Sequence, residues 1–344
     1  MSITIVDVAR EAAVSKSTVS LVINGNKAIK AETRKRVLMK IEELGYVPNI
    51  NARSLTTKKT HILGVIMPVE NFDYSSYEFD SENEIFSYDV SVGIPAGLAN
   101  SDYGILTERF CSSGSRNFLP NLVCNKRVDG VFITGGSFKK SLLVNLKKRK
   151  IPCVVVGRYT SELDSVSPDF VKAAYISTEY LINTDHKKIL FINCPVIFPS
   201  NQDRLEGIRD AAAKYGFVLD SRWIINVQHN TGESGYQAIK YCWEQGLRPD
   251  AVFSANDYFA LGVMRFLYEQ KVRVPEDISV IGYEDSILAG YAVPPLTTIS
   301  IAKAKMGEEA ARLMLDRIKN PKKRYVSLKI KPVLVERATV LRRN

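Results

Sequence analysis

Residues 4–23 read TIVDVAREAAVSKSTVSLVI, and this stretch decides how the first part of the chain folds. Thr4 is followed three residues later by Asp7, which is the spacing of a helix capping box, and an apolar stripe follows. Ser15 is placed to cap a second helix over residues 16–23. Small residues separate the two helices, so the stretch predicts two short helices that cross closely.

A third helix is predicted over residues 31–44, and Gly45 is placed to end it. Its buried stripe consists of Val37, Leu38, Ile41 and Leu44. Lys16 and Ser17 fall in the first turn of the second helix, where helix-turn-helix proteins present side chains to base edges in the major groove. A three-helix unit that binds a partner other than DNA is the alternative.

The charge of the chain is unevenly distributed. The net charge is +10, and residues 1–60 carry 11 Lys and Arg against 5 Asp and Glu. Such an excess is typical of a nucleic-acid-binding segment, although a solvated lysine-rich surface has the same composition. The five cysteines form no C-x-x-C pair, which favours a reducing compartment. No secretory signal or transmembrane run is recognisable, so we expect a cytoplasmic protein without membrane contacts.

The first 49 residues resemble the start of the LacI/GalR (lactose and galactose repressor) family of transcription regulators. The resemblance lies in residues 4–20, in VING at 22–25, in ETR at 32–34 and in IEELGYVPN at 41–49. It implies DNA contacts from Thr4, Lys16, Ser17, Thr18, Ser20, Leu21 and Asn24 in this segment, and from Asn49, Ala52, Arg53 and Leu55 beyond it. Leu21 departs from the family, whose members usually have a base-reading arginine there, so a known operator sequence does not carry over.

Residues 48–60 resemble the family's hinge helix and the linker that follows it. Asn49 is placed to cap a helix of less than two turns, which is too short to be stable alone. The resemblance implies that it orders on DNA, where Leu55 enters the minor groove with Ala52 packed beside it. An apolar wedge of this kind unstacks a base step and bends the duplex. A simple polar linker is the alternative.

From residue 61 onward, short apolar runs alternate with helical stretches. The runs lie at residues 62–67, 131–134, 153–157, 189–193, 251–255 and 278–283. The helical stretches lie at residues 141–150, 171–182, 204–215, 235–244 and 258–269. This alternation predicts parallel sheets flanked by helices, and ligands bind such sheets beyond the carboxyl ends of the strands.

The resemblance continues through this part, in VDG at 128–130, DRLEG at 203–207, ANDYFALG at 255–262 and VPEDISVIGYED at 274–285. It implies the fold of periplasmic sugar-binding proteins, with two α/β subdomains, three crossovers near residues 160, 290 and 322, and a ligand cleft. The expected layout is therefore an all-α helix-turn-helix domain and an α/β core with parallel sheets. The expected DNA-binding domain covers residues 1–47, the hinge residues 48–60 and the core residues 61–344. Within the core, the N-subdomain covers about 61–160 and 291–322, and the C-subdomain covers about 161–290 and 323–344.

Five residues of the core are implied effector contacts. Arg204 and Asp257 match positions that commonly hydrogen-bond the effector in the family, and Phe86, Phe170 and Asn230 align with pocket-lining positions. A guanidinium donor and a carboxylate acceptor suit vicinal hydroxyls or a small anion. Asp257 also precedes a predicted helix, so its alternative role is that of an N-cap.

The chain departs from the family at residues 69–95. This segment is longer than usual by roughly a dozen residues and is acidic and aromatic between residues 69 and 88. A lid over the effector site, a dimer contact and an ordinary surface loop are all compatible with it. Pro95 and Gly97 fall inside the following predicted helix, which they are expected to kink or shorten.

The sequence offers little support for catalysis. GESGY at 232–236 only superficially resembles a nucleophile elbow, and neither a Walker A loop nor a dinucleotide-binding glycine motif is present. The three histidines are isolated, so no metal site or cofactor is expected. We expect a regulator, not an enzyme; a sugar-binding module of the transport type is the other class with this fold, and the basic trihelical segment argues against it.

The expected function is therefore that of a sequence-specific DNA-binding transcription regulator, a repressor in the family's usual mode. Its expected partners are a pseudo-palindromic double-stranded operator, a second copy in a homodimer, and a small-molecule effector of the sugar class.

The hinge interpretation predicts that Leu55→Ala weakens operator binding far more than binding to random DNA. Alanine preserves helix propensity, so the loss reports the missing apolar wedge, whereas non-specific binding depends on phosphate contacts that the substitution leaves intact. The measurement is the ratio of operator to random-duplex affinity at one fixed salt concentration. An unchanged ratio would identify residues 49–55 as a plain tether.

Overall fold

The computed structural model describes residues 3–23, 25–26, 28–46, 59–69, 81–111, 119–135 and 138–343. Contacts divide the chain into two compact units, Met1–His61 and Ile62–Asn344.

The first unit contains three helices, α1 (Ile5–Glu11), α2 (Lys16–Ile23) and α3 (Ala31–Glu43). The predicted capping box is confirmed, because the Asp7 N–H donates to Thr4 Oγ1 (3.4 Å) and the Thr4 N–H donates to Asp7 Oδ2 (3.0 Å). Ser15 Oγ accepts from the Thr18 N–H (3.1 Å), as expected of a cap for α2. The three helices bury a small apolar core between them, which includes Val8, Val19 and Val37.

The second unit is built from parallel strands and flanking helices. Its strands are β1 (Ile62–Val69), β2 (Gly104–Cys111), β3 (Gly130–Thr134), β4 (Cys153–Val156), β5 (Asp164–Pro168), β6 (Ile189–Asn193), β7 (Ile224–Asn226), β8 (Ala251–Ser254), β9 (Ser279–Ile281), β10 (Thr298–Ser300), β11 (Ser327–Ile330) and β12 (Val333–Val335). Its helices are α4 (Ser81–Leu98), α5 (Asn121–Cys124), α6 (Lys140–Lys148), α7 (Phe170–Asn183), α8 (Pro199–Tyr215), α9 (Gly232–Glu244), α10 (Asp257–Glu269), α11 (Ile287–Tyr291) and α12 (Lys303–Lys319). A single 3-10 turn covers Ser221–Trp223.

Two parallel sheets form the centres of the two halves of this unit. The strand order is β11-β5-β4-β3-β1-β2 in the six-stranded sheet and β7-β6-β8-β9 in the four-stranded sheet, and every pairing within them is parallel. The short strands β10 and β12 form a separate antiparallel pair. The observed α/β architecture is the one that the alternating pattern predicts.

The sheets locate the crossovers between the two halves. Strands β5 and β11 both belong to the six-stranded sheet, so the chain leaves that half only after each strand ends. The first crossover therefore follows Pro168 and the third follows Ile330, each about eight residues later than expected. The β5 sequence, DSVSP, lacks the apolar run by which the other strands were recognised. Its serines are buried and hydrogen-bonded instead: Ser165 Oγ donates to Ser327 Oγ (3.0 Å).

Helix α4 differs from the expectation drawn from its proline and glycine. It includes Pro95 and continues to Leu98, so neither Pro95 nor Gly97 cuts it short. Its glycines permit close helix packing instead, because a Cβ on Gly93 would collide with the Ala304 carbonyl of α12 and one on Gly97 with the Glu308 carbonyl. Residues 70–80 of the inserted segment lie outside the described residues.

A buried ion pair fixes one end of α12 against the six-stranded sheet. Arg317 donates through Nε to Asp164 Oδ2 (2.7 Å) and through Nη2 to Asp164 Oδ1 (3.0 Å), and the two side chains are only 7% and 2% exposed. Arg317 also donates to the carbonyls of Lys323 (2.6 Å) and Arg324 (3.1 Å), while the Val326 N–H donates to Asp164 Oδ1 (2.8 Å). The pair therefore sets the path of residues 320–326 into β11.

We predict that Asp164→Ala lowers the free energy of unfolding of the core by about 3–5 kcal/mol, because it leaves the Arg317 charge buried without its partner. Denaturant titration of the full chain, followed by circular dichroism, measures the change. Asp220→Ala, which removes the half-buried partner of the exposed Arg222, is the control and should change stability much less. Equal effects of the two substitutions would contradict the structural role of the buried pair.

Candidate functional site

A cavity of about 70 Å³ lies where strands of both sheets end. Gly157, Cys194 and Ala255 follow β4, β6 and β8 directly, and Pro168 is the last residue of β5. This is the position that the parallel-sheet rule predicts for a ligand. The full lining consists of Phe86, Gly157, Pro168, Phe170, Cys194, Phe198, Ser200, Arg204, Asn230, Ala255, Asn256, Glu284 and Ile301.

Four of the five effector contacts expected from the sequence line this cavity, namely Arg204, Phe86, Phe170 and Asn230. They come from different elements: Phe86 from α4, Phe170 from the start of α7, and Arg204 from α8. The cavity thus brings together residues that are far apart in the chain. That they bind an effector stays a prediction.

Arg204 is held in place by several contacts that leave one of its donors unused. It is 5% exposed, and its guanidinium lies over the rings of Phe170 (5.0 Å) and Tyr283 (4.8 Å). Its Nη atoms donate to Cys194 Sγ (3.3 Å), the Ser200 carbonyl (3.4 Å) and the Ala255 carbonyl (3.3 Å). Nε is buried and finds no acceptor in the described part of the chain. These contacts hold the Arg204 guanidinium as a fixed positive group in the wall of the cavity.

Asn256 adds a second polar group that the sequence analysis did not assign. Its Oδ1 accepts from the Phe259 N–H (2.7 Å) and so caps α10, while its Nδ2 donates to Asn230 Oδ1 (3.1 Å). The cap assignment considered for Asp257 therefore belongs to its neighbour. The two linked amides give the wall a fixed pattern of hydrogen-bonding groups.

Asp257 does not line the cavity. It is 1% exposed, and its carboxylate accepts from the Ser286 N–H (2.6 Å) and from Thr298 Oγ1 (2.5 Å). Burial raises the pKa of this carboxyl to about 7, while the hydrogen bonds from Thr298 and Ser286 act in the opposite direction. Because Ser286 and Thr298 flank the second crossover, the position of Asp257 indicates a structural role in the core.

Glu284 is the acidic group that the cavity does contain. Its backbone φ is +103°, and its N–H donates to the Ile299 carbonyl (2.8 Å). Its carboxylate lies 3.7 Å from Lys303 Nζ, which also lies 2.7 Å from Asp89 Oδ2. Burial raises the pKa of Glu284, and the charges of Lys303 and Arg204 oppose that rise. A non-glycine residue in this strained conformation is characteristic of functional positions, a feature that sequence alone does not reveal.

The described residues of the expected DNA interface surround the start and the exposed side of α2. Lys16, Ser17 and Leu21 are exposed, and Ser20 is half-buried. Thr4 and Thr18 use their hydroxyls in the helix caps, where Thr4 Oγ1 donates to Asp7 Oδ2 (2.7 Å) and Thr18 Oγ1 lies 2.9 Å from Ser15 Oγ. Asn24, Asn49, Ala52, Arg53 and Leu55 lie outside the described residues.

The described residues offer neither a metal-binding cluster nor a helix that could span a membrane. They contain no group of three or more His, Cys, Asp and Glu side chains that could hold a metal ion. Within the same residues, no helix has the length and apolar character needed to cross a membrane.

Comparison with known proteins gives matches along the chain. Residues 4–49 match the model for bacterial regulatory proteins of the lacI family, and residues 178–340 match the model for a periplasmic binding protein-like domain. The ribose operon repressor of Haemophilus influenzae is 32% identical over 341 residues, covering 98% of each chain.

Two solved structures are similar over almost the whole chain. The complex of the transcriptional regulator CelR with cellobiose has a TM-score of 0.73 at 29% identity, covering 98% of this chain and 99% of that one. The Lac repressor dimer bound to operator and an anti-inducer has a TM-score of 0.80 at 23% identity, covering 99% and 100%. The second similarity is a similarity of fold.

The Asp257 carboxyl predicts a specific pH dependence of stability. Its pKa rises from an ordinary value of 3.8 to about 7 on folding, so between these values the unfolded chain releases a proton that the folded chain keeps. Stability contributed by this group is therefore lost as the pH rises through that window, by about 1.4 kcal/mol per pH unit.

We predict that Asp257→Asn removes this dependence. The free energy of unfolding of the natural chain, minus that of the variant, should then decrease from about pH 4 to about pH 7 and stay constant at higher pH. Denaturant titration at several pH values measures this difference. Asp210→Asn, at an exposed position, is the control and should give a level difference throughout. A level difference for Asp257→Asn as well would contradict the assignment.

Proposed function

The chain belongs to the lacI family of bacterial regulatory proteins, and we propose that it represses transcription under the control of a small neutral sugar. Membership rests on the lacI match at residues 4–49 and on 32% identity to a ribose operon repressor over 98% of the chain. The cavity at the strand ends is the proposed sensor, and the trihelical unit is the proposed DNA reader.

For DNA, we propose that α2 enters the major groove with Lys16 and Ser17 toward the bases. Both side chains are exposed, and they stand in the first turn of the helix after the capping residue Ser15. The basic excess of residues 1–60 supplies affinity through the phosphates, while base contacts and the proposed Leu55 wedge supply specificity. Leu21 is 40% exposed on this helix, so an apolar contact, such as one with a thymine methyl group, takes the place of a charged one.

We propose a homodimer as the DNA-binding form. Two copies place two recognition helices on the two halves of a pseudo-palindromic operator, as helix-turn-helix dimers do. The similar Lac repressor structure is a dimer on its operator. A DNA-binding regulator acts where the chromosome is, so we place the protein in the cytoplasm and assign it no catalytic activity.

The observation that carries the effector assignment is the pairing of opposite charges in one small cavity. Arg204 contributes a guanidinium to the lining, and Glu284 contributes a carboxylate. These two charges balance each other, so a ligand with a net charge would bring an uncompensated charge into a partly buried site, which is costly. A neutral ligand with both hydroxyl donors and oxygen acceptors satisfies them together.

The remaining lining fits the same ligand. Phe86 and Phe170 supply apolar faces for the C–H surface of a sugar ring, and the linked amides of Asn230 and Asn256 supply directional hydrogen bonds. The cavity of about 70 Å³ has room for on the order of five water molecules, so a ligand of about the size of a monosaccharide fits it. Among similar proteins, one is named for ribose and another was solved with cellobiose.

The function is tested on the full chain with DNA selected from a pool of random duplexes. We expect the selection to enrich a pseudo-palindromic sequence. A thermal-shift screen of neutral monosaccharides, sugar phosphates and nucleobases should then find a stabilising ligand among the neutral monosaccharides. A chain that enriches no duplex, or is stabilised only by sugar phosphates, would contradict the proposal.

We predict that Glu284→Gln weakens binding of that sugar by about 10- to 150-fold, because a charged hydrogen bond contributes about 1.5–3 kcal/mol. Operator affinity without sugar should change little, since the substitution preserves shape and lies in the sensing core. Calorimetry and operator titration measure the two affinities. Glu276→Gln, at an exposed position, is the control and should leave the sugar affinity and the operator affinity unchanged. An unchanged sugar affinity in Glu284→Gln would show that Glu284 does not belong to the site.

A further inference from the structure

The amino-terminal ends of the strands in the six-stranded sheet meet at one edge. The parallel registers pair Leu63 with Gly130, Val131 with Cys153, and Ser165 with Ser327, so β1, β3, β4, β5 and β11 begin side by side. This edge is opposite to the one that carries the cavity. With about 4.8 Å between neighbouring strands, the row from β1 to β11 extends for about 19 Å.

The segments that lead into β3, β4 and β11 are strongly basic. We name their ten cationic residues the basic rim: Lys126, Arg127, Lys147, Lys148, Arg149, Lys150, Lys319, Lys322, Lys323 and Arg324. All ten are exposed, and the segments 126–127, 147–150 and 319–324 contain no Asp or Glu. Within the described residues, Lys323 is the one member with an ion pair, to Asp316.

The basic rim accounts for the net positive charge of residues 61–344. Residues 61–344 contain 36 Lys and Arg against 32 Asp and Glu, so without the ten rim residues this unit would be net acidic.

Hydrogen bonds and ring contacts hold the backbone segments that carry the basic rim. Arg317, itself held by Asp164, donates to the carbonyls of Lys323 and Arg324, which fixes the segment before β11. Lys147 Nζ lies 5.5 Å from the Tyr325 ring, so the end of α6 is next to that segment. The Asp129 N–H donates to the Ile62 carbonyl (2.8 Å), which joins the approach to β3 to the start of β1. These contacts connect the three segments of the basic rim to the sheet and to each other.

We propose that the basic rim binds the phosphate backbone of DNA that flanks the operator, adding sequence-independent contacts to those of residues 1–60. The proposal rests on the DNA-binding function proposed above. The start of β1 at Ile62, where the chain enters the core from the first unit, lies on the same sheet edge as the basic rim. It is therefore the edge of the core that the chain reaches first after the DNA-binding residues.

The chemistry of the rim favours phosphates over a protein partner. Seven of its ten members are lysines, a residue depleted from protein–protein interfaces, whereas such interfaces are enriched in apolar and aromatic residues at their centre. A duplex presents one negative charge per roughly 1.7 Å, a regular array that an extended row of cations matches without any specific pocket. Tyr325, 41% exposed, is the large apolar residue exposed within the segment before β11.

The test compares two duplexes: the shortest selected operator, and the same operator extended by about 10 base pairs, one helical turn, on each side. The full chain should bind the long duplex more tightly and with a steeper dependence of affinity on salt. The triple substitution Lys148→Gln, Arg149→Gln and Lys322→Gln should reduce that slope by up to about 2.7 per protomer, or about 5.4 for a dimer, and cut the long-duplex advantage by at least roughly an order of magnitude.

Two matched variants separate charge from other effects. Lys188→Gln, Arg209→Gln and Lys271→Gln remove the same charge from exposed positions of the other half of the core and should leave the difference between duplexes unchanged. Lys148→Arg, Arg149→Lys and Lys322→Arg keep the rim charge and should behave as the natural chain.

The outcomes also separate this proposal from the one on which it rests. A chain that binds the short operator but shows no flank dependence would overturn the rim proposal alone, and a rim that captures an acidic protein instead would do the same. A chain that enriches no duplex would overturn both. Equal losses in the rim and control variants would show that overall charge, not the rim, is responsible.

Discussion

All strands of the two main sheets run parallel to their neighbours, and this constraint determines where ligands can bind. A parallel sheet places the carboxyl ends of its strands on one edge and the amino ends on the other, whatever the loops contain. In this protein the carboxyl ends of β4, β5, β6 and β8 surround the cavity with Arg204 and Glu284. The amino ends of β3, β4 and β11 carry the basic rim. The proposed effector site and the proposed DNA-flank surface thus lie at opposite ends of the same parallel strands.

Within the cavity, Glu284 connects the two halves of the core. It follows β9 of the four-stranded sheet, yet its carboxylate lies 3.7 Å from Lys303 on α12, which packs with α4 over the six-stranded sheet. Asp89 on α4 shares the same ammonium group. A ligand that binds the Glu284 carboxylate therefore competes with or reinforces an ion-pair network anchored in both halves. The network therefore links the cavity wall to elements of both halves of the core.

Sequence reasoning located the elements better than the site. The caps at Thr4 and Ser15 and the apolar periodicity are local signals, so the three helices of the first unit were predicted nearly to the residue. Asp257 was expected in the cavity wall, but Asn256 lines the cavity instead, because an Asn-Asp pair before a helix does not reveal which member caps the helix and which is buried in the core. Glu284 was missed because its positive φ and its proximity to Arg204 exist only in the folded chain. Strand β5 was missed because hydrogen bonds, not apolar side chains, compensate its burial.

The central claim is that one small molecule in the cavity controls DNA binding, and thermodynamic reciprocity tests it most directly. The affinity of the stabilising monosaccharide is measured by calorimetry on the free chain and on the chain saturated with its operator. If the two sites are coupled, the sugar affinity changes on DNA binding by the same factor as the operator affinity changes on sugar binding, a factor of roughly 5 to 150 for typical allosteric proteins. A sugar affinity that is the same with and without operator would contradict the account.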